Sequence, residues 1–120
     1  MLRDKTILAV DDDAEVLHIV GLALEEAGYR VLMAADGCQA LNAVEHGMPD
    51  LIILDMRMPR MGGCAFAGEF KAKYGAQAPI VLLSAEMDID RRAEEIGAVG
   101  WIRKPFDFDK LVAVVNGFLD

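Results

Sequence analysis

The stretch Leu51–Asp55 has the sequence Leu-Ile-Ile-Leu-Asp, an uninterrupted apolar run that ends in an acidic residue. An apolar run of this length is typical of a strand that is buried on both faces, as the strands of a parallel sheet are. Pro49 and Asp50 come directly before the run and break the chain there. We therefore predict a buried strand over Leu51–Leu54, with the Asp55 carboxyl group at its carboxyl end.

Short apolar runs and amphipathic stretches alternate on both sides of this strand. The apolar runs predict four further strands, over Thr6–Val10, Tyr29–Ala34, Ile80–Leu83 and Val99–Arg103. The amphipathic stretches predict helices over Ala14–Ala27, Cys38–His46, about Cys64 to Tyr74, Asp88–Ile96 and Asp107–Leu119. Asp13 is a preferred N-cap for the first helix. Phe118 belongs to the set of residues in the last helix that we expect to face inward.

Five strands that alternate with five helices predict an α/β fold in one domain, residues 1–120. Such an alternation favours a five-stranded parallel sheet that is covered by helices on both faces. The common arrangement for five βα units is the flavodoxin-like doubly wound (βα)5 fold, with strand order 2-1-3-4-5. In that order the first and third strands are neighbours at the switch point of the sheet.

The composition narrows the classes of function. Hydrophobic residues make up 54% of the 120 residues and charged residues 27%, as in a soluble globular protein. Every apolar stretch is shorter than the roughly 18–20 residues that a membrane helix needs. The formal net charge of −8 argues against direct nucleic-acid binding, because phosphate contacts require basic side chains. The same charge suits a cation site or a basic protein partner.

The cysteines and the N-terminus favour a cytoplasmic protein. Cys38 and Cys64 are a single pair without metal-like spacing, and we interpret both as reduced. Residues 1–6 contain no apolar signal region, so nothing in them indicates secretion.

Polar side chains stand at the ends of four predicted strands. Asp11 and Asp12 follow the first strand, Asp55 the third, Ser84 the fourth and Lys104 the fifth. The carboxyl ends of parallel strands lie at one edge of the sheet, and ligands of open α/β sheets bind at that edge. The sequence therefore predicts that these five side chains meet at one site.

The chemistry of such a site can be inferred from its groups. Neighbouring carboxylates repel each other and raise their pKa values unless a cation neutralises them. Mg²⁺ suits this role, since it binds one or two carboxylates together with phosphate oxygens. Lys104 offers a positive charge to a phosphate group and Ser84 offers a hydroxyl donor. A carboxylate in such a site can act as the nucleophile and form an acyl phosphate.

With these residues in view, the chain resembles the receiver domain of response regulators from start to finish, and the chemotaxis-type single-domain receivers in size. Four motifs carry the resemblance, and their combination is far more specific than any one of them. They are Ile7–Asp12, Leu54–Pro59 with Gly62-Gly63, Leu83–Ala85 and Lys104–Phe106.

The resemblance implies a role for each residue of the acidic end of the site. Asp55 is expected to accept the phosphoryl group. Asp12 is expected to bind Mg²⁺ directly, and Asp11 to help through water. Asp55 and the backbone carbonyl of Arg57 are expected to complete the protein's contribution to the metal site.

The resemblance also implies a switch. Ser84 and Lys104 are expected to bind phosphoryl oxygens, and the peptide bond before Pro105 is expected to be cis. Trp101 occupies the aromatic switch position, where tyrosine, phenylalanine or histidine is more usual. Phosphorylation is expected to reshape the surface formed by the fourth helix, the fifth strand and the last helix.

The implied partners are those of two-component signalling. A sensor histidine kinase, a phosphotransfer protein or a small phosphodonor is expected to supply the phosphoryl group. The output is expected to be a separate protein or a C-terminal output domain, with a monomer or a weak dimer on activation. Apart from its own phosphorylation and dephosphorylation, no enzymatic activity is expected.

Three alternative functions remain open at this point. An aspartate-dependent phosphatase would have an acidic residue two positions after the nucleophile, where this chain has Arg57. A flavin or nucleotide carrier would have a glycine-rich first loop, whereas here the loop is acidic. A receiver that acts without phosphorylation would lack one of the key residues, and all of them are present.

Overall fold

The computed structural model describes residues 4–119, in which five strands and five helices alternate along the chain. Residues 1–3 and 120, which the predicted domain included, lie outside the described residues. The strands are β1 Thr6–Val10, β2 Arg30–Ala34, β3 Leu51–Asp55, β4 Ile80–Ser84 and β5 Gly100–Arg103. The helices are α1 Ala14–Glu26, α2 Gly37–His46, α3 Gly63–Tyr74, α4 Ile89–Ile96 and α5 Phe108–Leu119.

The strands form one parallel sheet in the order β2-β1-β3-β4-β5, which confirms the predicted doubly wound arrangement. The central strands β1 and β3 are hydrogen-bonded neighbours, with Val10 paired with Leu54. This register brings Asp11, the next residue along β1, level with Asp55 at the carboxyl edge of the sheet. The switch point of the sheet therefore coincides with the predicted site.

Helices cover both faces of the sheet. On one face α2, α3 and α4 pack against side chains of β1, β3 and β4, with Phe66 and Phe70 among the largest buried groups. On the other face α1 and α5 pack against the alternate residues of the same strands and against Ile102 of β5. Every residue of β3 and β4 is buried as a result, which explains why both sequences are apolar up to their last residues, Asp55 and Ser84.

Within residues 4–119, none of the helices combines the length and the apolar character that crossing a bilayer requires.

The observed element bounds differ from the predicted ones by single residues. Asp55 and Ser84 are the last residues of β3 and β4, because Asp55 still pairs with Leu83 and Ser84 with Arg103. Asp13 caps α1 as predicted, with its carboxylate accepting hydrogen bonds from the first-turn backbone. Asp88 precedes α4 instead of beginning it.

The prediction that Phe118 faces inward is confirmed only in part, because the ring faces the sheet but is not buried. Its side chain is 42% exposed, whereas Leu111 and Val115 of the same helix are buried. The ring of Phe118 lies over Gly100, where an added Cβ would come within 2.9 Å of ring atom Cζ. Gly100 belongs to β5, an edge strand, so the sheet is too narrow to cover the ring.

The start of α3 lies against the end of β3. A Cβ added at Gly63 would stand 2.5 Å from the carbonyl oxygen of Asp55 and 2.9 Å from Cα of Met56. Both neighbours are backbone atoms, so neither can rotate away as a flexible side chain would. Glycine at position 63 therefore allows α3 to begin directly beneath the Asp55 backbone.

We predict that Gly63→Ala lowers the free energy of unfolding by about 1–3 kcal/mol, because the added methyl overpacks this contact. Gly68→Ala, also in α3, meets nothing within 4 Å. That control should gain about 0.5–1 kcal/mol from helix propensity. Urea unfolding of both variants measures the difference. A Gly63→Ala chain as stable as the wild type would contradict the close approach.

Candidate functional site

Three carboxyl groups cluster at the carboxyl edge of the sheet. Asp11, Asp12 and Asp55 each offer one oxygen, and these oxygens all lie within 4.8 Å of one another. Asp11 and Asp55 are buried, whereas Asp12 is exposed. The cluster follows from the fold, because β1 and β3 are adjacent and end at the same level. The structure thus brings together the three acids that the sequence predicted to meet.

Lys104 lies against the two buried acids. Its Nζ donates hydrogen bonds to Oδ2 of Asp11 at 2.9 Å and to Oδ1 of Asp55 at 3.3 Å. The backbone N–H of Lys104 also donates to the carbonyl oxygen of Ser84, which extends the β4–β5 ladder by one residue. The Lys104–Pro105 peptide bond is cis. The amine of Lys104 therefore projects into the acidic cluster from the end of β5.

Burial and charge shift the protonation of these groups. Desolvation, followed by the negative charge of Asp11, raises the pKa of Asp55 to about 6, although Lys104 opposes the rise. For Lys104, burial opposes the charged form, but the hydrogen bond to Asp11 and the two nearby carboxylates outweigh it and raise its pKa. The amine is therefore a cation, and the cluster still carries more negative than positive charge.

Ser84 lies at the end of β4, beside the end of β3. Its side chain is buried, and Oγ accepts a hydrogen bond of 3.0 Å from the backbone N–H of Glu86. A hydroxyl that accepts one bond can still donate its proton to another group. Ser84 can therefore donate to an oxygen bound between itself and Asp55.

The side chains of Arg57 and Trp101 are both exposed to solvent. Arg57 is 85% exposed, and its Nε donates to Oε1 of Glu86 at 3.2 Å. Trp101 is 41% exposed, and the guanidinium of Arg103 lies 5.7 Å from its ring centroid. The expected role of Arg57 in metal binding involves only its backbone carbonyl, which this side-chain orientation leaves unaffected.

The contacts of several polar residues around the site were not predicted from the sequence. Glu86 joins the loop after β4 to the loop after β3 and to helix α4, because its carboxylate pairs with Arg57 and with Nε of Arg92 at 3.3 Å. Arg103 donates from Nη1 to the carbonyl oxygen of Glu86 at 2.7 Å. These contacts depend on the conformation of the loop after Ser84, and no spacing in the sequence signals them.

A second contact that the sequence did not predict holds the loop after Asp55. Arg60 has φ of 63°, in the left-handed region that non-glycine residues seldom adopt. Its Nε donates to Oδ2 of the buried Asp36 at 2.6 Å, and the N–H of Gly37 donates to the carbonyl oxygen of Met61. The loop that carries Arg57 is therefore fastened to the start of α2.

An open cleft of about 790 Å³ lies over these groups, with the three acids, Ser84 and Lys104 in its lining. Its carboxylates provide oxygen ligands, which suit a divalent cation such as Mg²⁺. The amine of Lys104 and the hydroxyl of Ser84 are hydrogen-bond donors, which suit an anionic oxygen. The cleft can therefore hold a cation and a phosphoryl group side by side.

Comparison with known proteins agrees with this geometry. The family model described as "Response regulator receiver domain" matches residues 7–116. The chain is 37% identical over 118 residues to the phosphate regulon transcriptional regulatory protein PhoB of Pseudomonas aeruginosa. The aligned region covers 96% of this chain and 52% of PhoB. Several such relatives are about twice as long as this chain.

Other similar proteins are matched along nearly their whole length. The chain is 32% identical over 121 residues to sporulation initiation phosphotransferase F of Bacillus subtilis, covering 99% of this chain and 96% of that protein. The structure of the Vibrio cholerae chemotaxis protein CheY4 superposes with a TM-score of 0.88 at 32% identity, covering 95% of this chain and 98% of that one. The chain therefore belongs to the response regulator receiver domains, the signalling domains of two-component systems.

Proposed function

We propose that Asp55 is the phosphoacceptor of this receiver domain. The observation that carries the proposal is the placement of a buried Asp55 carboxyl group beside Asp11 and within hydrogen-bond distance of Lys104. Burial raises the pKa of Asp55, and a carboxylate that is poorly solvated is a better nucleophile. Asp11 and Asp12 are the other members of the cluster, and we assign them to metal binding.

In the proposed reaction a carboxylate oxygen of Asp55 attacks the phosphorus atom of a phosphohistidine or a small acyl phosphate. A bond forms between phosphorus and the Asp55 oxygen, while the bond between phosphorus and the donor breaks. The leaving imidazole nitrogen or carboxylate oxygen keeps the electron pair of that bond. Lys104 then pairs with an oxygen of the transferred group, and Ser84 donates a hydrogen bond to another.

The residues present fit Mg²⁺, because three carboxylate oxygens lie within 4.8 Å of one another at the floor of an open cleft. We assign Asp12 and Asp55 as direct ligands, Asp11 as a ligand through water, and the carbonyl of Arg57 as the remaining protein ligand. When bound, Mg²⁺ supplies positive charge that offsets the repulsion between the acids and the incoming phosphoryl oxygens.

Phosphorylation is proposed to act as a switch. Ser84 and Lys104 would be drawn toward the new phosphoryl oxygens and reshape the outer surface of α4, β5 and α5, which includes Trp101. A switch of this kind needs two conformations whose balance the phosphoryl group changes. That surface would then bind an output partner in the cytoplasm.

The proposed partners follow from the relatives. A sensor histidine kinase or a phosphotransfer protein would supply the phosphoryl group. PhoB of P. aeruginosa is about twice as long as this chain, whereas sporulation initiation phosphotransferase F is matched almost completely. The output is accordingly either a domain attached to the receiver or a separate protein, and the receiver itself is a monomer or a weak dimer.

We predict that acetyl phosphate adds one phosphoryl group to the purified chain only when Mg²⁺ is present, because the acids must be neutralised for the anionic donor to approach. Intact mass spectrometry measures the adduct. Asp55→Asn should abolish it, since the nucleophile is gone. Asp109→Asn, an exposed position in α5, is the matched control and should retain it.

An adduct of equal yield in Asp55→Asn would assign the phosphoacceptor to another residue. A wild-type chain that accepts no phosphoryl group from acetyl phosphate or from a panel of phosphorylated histidine kinases would contradict the proposed function.

A second prediction concerns pH in the absence of metal. The pKa of Asp55 is raised from 3.8 to about 6 on folding, so the folded chain binds a proton that the unfolded chain releases. The stabilisation from this proton is complete below about pH 4 and is lost as the pH rises through about 6. Asp55→Asn has no carboxyl group at this position, so its stability does not fall in this way as the pH rises. It should therefore be the more stable protein above pH 6.

The measurement is urea unfolding of both chains in EDTA between pH 4 and pH 8. The informative quantity is the difference in unfolding free energy between variant and wild type, because carboxyl groups remote from Asp55 contribute equally to both and cancel. Mg²⁺ at pH 7 should stabilise the wild type more than the variant. A difference that stays constant across this pH range would show that Asp55 titrates normally.

A further inference from the structure

The loop between β4 and α4, residues 85–88, is held mainly by polar contacts. Met87 at its tip is 92% exposed and provides no apolar anchor. At its start the N–H of Glu86 donates to Oγ of Ser84 at 3.0 Å. This bond links the Ser84 hydroxyl directly to the backbone of Glu86.

Arg103 holds the same loop from the other side. Its Nη1 donates to the carbonyl oxygen of Glu86 at 2.7 Å, and its Nη2 lies 3.5 Å from the carbonyl oxygen of Met87. Hydrogen bonds from a charged donor are stronger than those between neutral groups. The position of these two carbonyl groups is thus tied to the position of one guanidinium group.

The same guanidinium group contacts Trp101. Successive residues of a strand point to opposite faces, so Trp101 and Arg103 share the face of β5 opposite to the buried Ile102. The guanidinium carbon lies 5.7 Å from the ring centroid of Trp101, within the range of a cation–π interaction. One side chain therefore connects the backbone of the loop with the indole.

We propose that Arg103 is a positioning residue that couples the loop of residues 85–88 to Trp101. This proposal rests on the proposed phosphoacceptor role of Asp55. When Ser84 turns toward a phosphoryl oxygen, the peptide of Glu86 follows, and the carbonyl groups that hold Arg103 move with it. The guanidinium then shifts over the indole and changes its environment. Ser84 and Trp101 are in this way linked through Arg103, without direct contact between them.

The coupling reaches a surface that a partner can bind. Trp101 and Arg103 line a cleft of about 340 Å³ together with Phe106 and Lys110. Arg103 itself lies outside the lining of the larger cleft that contains the acids. Its replacement is accordingly expected to alter the response at Trp101 while phosphoryl binding at Asp55 continues.

The test uses intrinsic fluorescence, because Trp101 is the single tryptophan of the chain. Emission is recorded with Mg²⁺ before and after addition of beryllofluoride, which imitates a phosphoryl group on Asp55. Fluorine NMR measures beryllofluoride binding independently of the indole. Arg103→Met retains the apolar part of the side chain and removes the donors, whereas Arg103→Lys retains the charge.

The expected result is an emission change in the wild type that Arg103→Met loses and Arg103→Lys partly restores, with beryllofluoride bound in every case. Arg30→Met replaces an exposed arginine on the opposite edge strand and should behave as the wild type. Thermal unfolding confirms that each variant is folded.

An emission change of wild-type size in Arg103→Met would overturn the coupling, as would a wild-type chain that binds beryllofluoride without any change in emission. A wild-type chain that shows no bound beryllofluoride by fluorine NMR would instead refute the phosphoacceptor role of Asp55, and the coupling with it.

Discussion

Electrostatic repulsion among Asp11, Asp12 and Asp55 is the constraint on which the rest of the site depends. The pairing of β1 with β3 forces these acids together, and the packing of helices on both faces buries two of them. Lys104 offsets part of the negative charge but not all of it. The fold thus maintains a local excess of negative charge, which a divalent cation can relieve and which makes cation binding stabilising.

The surroundings of the acids divide into a rigid part and an adjustable part. β3 and β4 are buried along their whole lengths, so Asp55 and Ser84 stand on backbone that is fixed by core packing. The loops above them depend instead on hydrogen bonds and ion pairs made by arginines 57, 60, 92 and 103. The exposed pair of Arg57 with Glu86 can be exchanged at little cost, because exposed ion pairs contribute little to stability.

The sequence predicted the strand order and the meeting of the five polar side chains, because both follow from alternating βα units and a shared sheet edge. It did not predict the ion pairs of Glu86 or the contact of Arg103 with Trp101, which depend on loop conformation and side-chain rotamers. The incomplete burial of Phe118, which the sequence did not predict either, has a related cause. Helical periodicity identifies an apolar face, but it contains no information on whether the sheet extends far enough to cover that face.

The parallel sheet also separates the acidic cluster from the start of β1 and the end of α5. Each strand runs toward the acids and each helix runs back, so the start of β1 and the end of α5 lie at the far edge. The hydroxyl of Tyr29 near the start of β2 donates to Asn116, and Phe118 lies over Gly100 at the start of β5. A receiver that is held at a surface through the start of β1 or the end of α5 therefore presents its acidic cleft to the solution, open to a partner as large as another protein.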